Sequence, residues 1–167
     1  MSDFDYQLGR LQGQLDSFIY VNAKTNHSYT FEITQIDNSL ELVEDTHNFL
    51  VKHYPNSQLS TNKIENWQST VSMVLQRWLF DFVFMGENFD KHNKLHGFGA
   101  YSGFNCFESY SRAIFTLEFC QAIDDLLQVI EVIGVNLDTT EWYESCWNDF
   151  SFRGKNGSLF LHLGVSD

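Results

Sequence analysis

Glu87-x-x-Asp90-x-His92-x-x-x-His96 is the stretch of this chain best suited to hold a metal ion. Two histidines four residues apart share one face of a helix, and their imidazole nitrogens are good zinc ligands. Asn93, however, stands where a zinc protease carries its glutamate, so that hydrolytic pattern is absent. Residues 86–105 are also rich in Gly, Asn, His and Phe, which favours a loop. A solvated polar loop is the expected reading of His92 and His96, and no metal or other cofactor is assigned. Gly97-Phe98-Gly99-Ala100-Tyr101-Ser102-Gly103 has the glycines of a phosphate-cradling loop, but no Gly-Lys-Ser/Thr and no upstream strand. It is expected to line a groove, with the rings of Phe98, Tyr101 and Phe104 tucked onto the core.

A cysteine nucleophile needs a histidine and an orienting group beside it. Cys106 is close to His92 and His96 only in sequence, and Cys120 falls inside an apolar helical pattern that belongs to the core. Cys146, between Ser145 and Trp147, is the most reachable of the three, though packing is the expected role there too. The carboxylate pairs Glu44-Asp45 and Asp124-Asp125 do not suggest acid–base catalysis. Adjacent residues on a helix point about 100° apart and do not converge on one substrate, so solvated helix faces account for them. Asp81 lies four residues after Arg77, the spacing of an ion pair on one helix edge. No catalytic motif is complete, and the chain is expected not to be an enzyme.

The acidic–aromatic segment from Asp138 to Asp149 is the expected interaction site. The formal net charge is -12, and residues 108–149 hold nine acids against a single base, Arg112. Within that window Asp138, Glu141, Glu144 and Asp149 alternate with Trp142, Tyr143 and Trp147, while Asp124 and Asp125 lie upstream. Tryptophan and tyrosine supply desolvated anchor area, and carboxylates select a Lys/Arg-rich partner and speed encounter. The same pattern also fits an amphipathic helix with Trp142 and Trp147 facing inward and the acids outward. Such a negative balance argues against direct binding of nucleic-acid phosphates or of anionic lipid.

These residues need a scaffold, and 167 residues suffice for one domain with a sizeable core, spanning 1–167. Hydrophobic residues make up 43% of the chain and include 16 Phe, so the core is expected to be aromatic-rich. An odd number of cysteines without C-x-x-C, no apparent signal peptide and no membrane-length apolar run lead to a cytoplasmic protein with reduced thiols. Alternation in Phe4–Leu8, the β-rich run Ser17–Asn22 and renewed alternation in Ser28–Gln35 predict an N-terminal antiparallel β-hairpin or sheet with one wet face. Phe4, Leu8, Leu11 and Leu15 also fit a helical stripe, weakened by Gly9 and Gly13. A helix is predicted over Asn38–Tyr54, with Asn38 and Glu41 at capping-box spacing and Pro55 as its stop. A polar loop follows over Asn56–Thr61. A second helix is predicted over residues 62–85, apolar nearly all round from Trp78, and closed by Gly86. A third runs from Phe107 to Ile133 and a short fourth, capped by Thr139 or Thr140, reaches Trp147. A C-terminal hairpin turns at Gly154-Lys155-Asn156-Gly157. The expected fold class is α+β, a single domain with about four helices, the central pair buried and aromatic-rich.

Three functions fit these features, and no family motif is recognised among them. The first is a small acidic inhibitor of the immunity-protein kind, an antitoxin that covers the basic active site of a nuclease-type toxin. The second is a DNA mimic of the anti-restriction or anti-CRISPR type, which needs carboxylates spaced like phosphates. The third is an enzyme built on residues 87–96.

Overall fold

A computed structural model describes residues 2–23, 28–81 and 109–166. Helix α1 (Asp3–Asn22) precedes strand β1 (Tyr29–Ile36) and helix α2 (Leu42–Val51). Strand β2 (Gln58–Lys63) leads into α3 (Trp67–Gln76), whose last turn widens to π geometry over Arg77–Asp81. Helix α4 (Ser109–Leu127) is followed by β3 (Val129–Asp138), β4 (Cys146–Gly154) and β5 (Gly157–Val165). The five strands form one antiparallel sheet in the order β1-β5-β4-β3-β2. The α+β class, the antiparallel pairing of an N-terminal strand and the C-terminal hairpin all match expectation.

Side chains alternate across a strand, so the register divides the sheet into two faces. Phe31 and Ile33 of β1, Leu159, Leu161 and Leu163 of β5, and Phe150 and Phe152 of β4 point to one face. There they meet Leu11, Leu15 and Phe18 of α1, Val71, Leu75 and Trp78 of α3 and its last turn, and Phe119, Ile123 and Leu127 of α4. The buried hydroxyls of Ser72 and Thr116, 2.7 Å apart, join α3 to α4, and Trp78, Leu79 and Phe80 are all buried in this aromatic-rich helix pair. Among the described residues the other face carries only α2. Leu42 and Leu50 pack on Ile36, Ile133, Val135, Leu137 and Phe160 in a smaller core. Polar ties register α2 on the sheet. Buried Asp45 receives Arg153 Nη2 at 2.7 Å and the Leu40 N–H at 3.1 Å, and Thr46 Oγ1 lies 2.8 Å from Ser151 Oγ.

The local assignments need five corrections. Residues 4–8 and 17–22 are not strands but the two ends of α1. Ser2 and Asp5 cap it reciprocally, Asp5 N–H to Ser2 Oγ at 3.1 Å and Ser2 N to Asp5 Oδ2 at 2.9 Å, and the buried Leu11-Leu15-Phe18 stripe outweighs the β-preference of Ile19 and Tyr20. Helix α2 starts at Leu42, not Asn38, because Asn38 Oδ1 instead accepts the hydroxyl of Ser158. Its Asp45 is buried rather than solvated. Part of the predicted 56–61 loop and the start of the predicted 62–85 helix form β2, an edge strand whose polar side chains face water. The third helix stops at Leu127, where Gln128 takes a positive φ of 52° and the β-branched run from Val129 enters the sheet. No helix spans 139–147: Thr139 Oγ1 takes the Glu141 N–H at 3.1 Å, and the chain turns irregularly into β4. Residues 82–85 and the predicted loop 86–105 lie outside the described residues, as does the side chain of Asp81 in its expected pair with Arg77.

Gly154 marks where α4 ends against the hairpin. A Cβ there would stand 2.1 Å from the carbonyl oxygen of Leu127, a backbone atom that accepts the Asn156 N–H and cannot yield cheaply. Gly154→Ala is expected to cost at least about 2 kcal/mol. A fall in the denaturant midpoint checks this, and an unchanged midpoint contradicts it.

Candidate functional site

His162 sits in the middle of β5, where flanking strands cover it on both sides. Glu32 of β1 and Asp149 of β4 are its direct cross-strand neighbours, on the same face as α2. Its Nδ1 lies 2.7 Å from Asp149 Oδ1, and its Nε2 lies 3.5 Å from Glu144 Oε1. The Tyr143 hydroxyl donates to Asp149 Oδ2 at 2.6 Å, and Ser166 Oγ donates to Glu144 Oε2 at 2.6 Å. Gly164, two residues along β5, leaves the notch this needs: a Cβ there would come within 2.5 Å of His162 Nε2.

The electrostatics follow from this geometry. Burial alone would lower the basicity of His162, but hydrogen bonds to Asp149 and Glu144 and their charges outweigh it and raise its pKa to about 9. Burial would raise the Glu144 carboxyl, but hydrogen bonds with His162 and Ser166 hold it below the usual range. Tyr143 is pushed far above its ordinary value by burial and by the charge of Asp149. At neutral pH His162 is thus an imidazolium with no lone pair for a proton. It serves as an electrostatic tie rather than a general base.

Beside this tie a groove of about 400 Å³ opens between the outer strands and the C-terminal end of α2. It is lined by Thr30, Glu32 and Thr34 of β1, by Phe49, His53 and Tyr54 at and beyond the end of α2, and by Tyr143, Glu144 and His162. Tyr54 and Tyr143 meet edge-to-face with ring centroids 4.9 Å apart, and Tyr143 packs on Trp147 at 5.4 Å. The phenol of Tyr54 is raised above its ordinary pKa by burial and then by Glu144, Asp149, Glu141 and Glu32, so four carboxylates act on this one ring.

The segment 138–149 therefore divides into two sets. Asp138, Glu141 and Trp142 are exposed, Trp142 at 69%. Tyr143 and Trp147 are half-buried, while Asp149 and the side chain of Glu144 turn inward to His162. Asp124 and Asp125 are not brought to this place. They sit on α4, across the sheet, where Asp124 Oδ1 takes the Val129 N–H at 3.0 Å and Asp125 accepts from Gln121. Cys120 is buried and its thiol pushed up to about 12 by desolvation, whereas Cys146 is exposed rather than packed. Glu87, Asp90, His92, His96, the glycine loop 97–103 and Cys106 lie outside the described residues. Among the described residues no group of three His, Cys, Asp or Glu side chains is placed to hold a metal ion, and no helix is long and apolar enough to cross a membrane. No protein-family model, curated protein or solved structure matches the chain.

Glu32, Tyr54 and His162 were not singled out by sequence reasoning. The signal was a lone histidine in an otherwise apolar strand, Leu159-Phe160-Leu161-His162-Leu163, which demands buried counter-charges.

Because the folded pKa of His162 exceeds its ordinary 6.5, the tie contributes fully below 6.5 and is lost as pH rises towards about 9. The loss is on the order of 3 kcal/mol. Unfolding free energies measured across that window should decline for the native chain and stay nearly level for His162→Gln. Parallel curves would contradict the assignment.

Proposed function

We infer that this protein is a non-catalytic acidic binding protein of the immunity type, which neutralises a basic nuclease-type toxin by covering its phosphate-binding active site. The observation that carries this reading is the loop between β3 and β4, where exposed Glu141 and Trp142 adjoin the half-buried Tyr143 at the end of an acidic groove. An aromatic anchor beside carboxylates suits a cationic protein surface, and nuclease active sites are cationic because their substrates are phosphates. A cytoplasmic location belongs to this proposal, since the inhibitor must meet its toxin where the toxin would act. The DNA-mimic reading is less favoured because Glu144 and Asp149 are spent on His162, which shortens any row of exposed carboxylates.

The test is a purified complex with the product of the neighbouring gene as candidate partner, followed by calorimetry at several salt concentrations. Affinity should fall steeply with salt, and the toxin's nuclease activity should be titrated away stoichiometrically. Glu141→Lys and Trp142→Ala should each weaken binding about tenfold or more. A complex indifferent to salt and to both substitutions overturns the proposal. So does competition with duplex DNA for several unrelated cationic proteins, the behaviour of a DNA mimic.

A further inference from the structure

The groove beside His162 has a chemistry of its own. Glu32 and Glu144 line the groove with His53 and His162, and Asp149 lies buried behind His162, so three carboxylates face two imidazoles and the balance stays negative. Glu144 and Asp149 are committed to His162, Ser166 and Tyr143. Glu32 is different. It is exposed at the groove wall and accepts only a local hydroxyl, Thr34 Oγ1 to its Oε1 at 2.7 Å. The half-buried rings of Phe49 and Tyr54 line the same groove, the latter inside the field of four carboxylates that includes Glu32. Aromatic walls and an available carboxylate at one mouth, with negative potential behind, suit a planar cation with an apolar stem. A guanidinium can pair with a carboxylate and stack on a ring at the same time, which an ammonium does less well.

We propose that this groove receives an arginine side chain of the basic partner, its guanidinium paired with Glu32 and stacked on Tyr54. The proposal rests on the reading of the chain as an acidic binding protein and adds the contact that would select its partner. The loop bearing Glu141 and Trp142 then supplies the outer contact and the groove the inner one. The two are separable because Glu32 and Tyr54 lie on β1 and after α2, not on that loop.

The probe is Nα-acetyl-arginine amide, titrated into the full chain while the side-chain NMR signals of Tyr54, Tyr143 and His162 are followed. Nα-acetyl-citrulline amide, the same shape without charge, is the control. Saturable shifts confined to these signals are expected for the arginine probe. Affinity should be about tenfold weaker for the citrulline probe and for Glu32→Gln, and Tyr54→Phe should retain binding that Tyr54→Leu loses. Shifts that never saturate, an equal response to citrulline, or unchanged affinity in Glu32→Gln each overturn the proposal. Such a failure would leave the salt dependence and the Glu141 and Trp142 effects on the toxin complex untouched, so the two readings fail separately.

Discussion

A histidine in an interior strand of the sheet, largely buried between its neighbours, has little water to turn to. Every residue of β5 is buried, and an imidazole placed there must find its hydrogen bonds inside the protein or destabilise it. Much of the candidate site can be understood as the answer to that demand. Asp149 comes from the neighbouring strand, Glu144 and Tyr143 from the β3–β4 connection, and Gly164 makes room for them. The connection is irregular rather than helical because two of its residues must reach back over the sheet to the same ring. Trp142, just before them, is left facing solvent.

The two faces of the sheet divide the work. One carries α1, α3 and α4 with most of the aromatic core. Among the described residues the other is covered only by α2, ten residues long and pinned by Arg153–Asp45 and Thr46–Ser151. A helix that short shields Ile36, Ile133 and Phe160 but not the row Thr30-Glu32-Thr34, and Pro55 turns the chain away before it can extend. The groove is thus a consequence of incomplete coverage, and its polar wall is the wet face foreseen for residues 28–35.

What could be read in advance was whatever depended on local pattern alone. The Asn156-Gly157 turn, the alternation of β1 and the apolar stripe Val71-Leu75-Trp78 needed no tertiary context. Residues 17–22 and 129–133 misled because β-branched and aromatic runs are ambiguous between a strand and a buried helix. Position in the tertiary structure decided them in opposite directions. The Ser2–Asp5 cap was the cue that would have corrected the first. For the candidate site, charge and aromatic content drew attention to the β3–β4 loop, but composition cannot reveal that Glu144 and Asp149 face inward. That outcome depends on His162, which is close in space and distant in sequence, as is the contribution of Glu32 and Tyr54.

Gln12 has a role that concerns the whole sheet. From α1 its amide group takes the N–H of Ile33 at 2.8 Å and donates to the carbonyl of Phe31 at 3.0 Å, so it occupies the outward hydrogen-bonding positions of β1 much as another strand would. Growth of the sheet by strand addition at that edge would require lifting away a helix anchored by Leu11, Leu15 and Phe18. Self-association there is opposed by a barrier resembling partial unfolding, not by a merely weak contact. A strongly acidic chain with an aromatic core thereby guards the β1 edge of its sheet with one side chain of neutral charge.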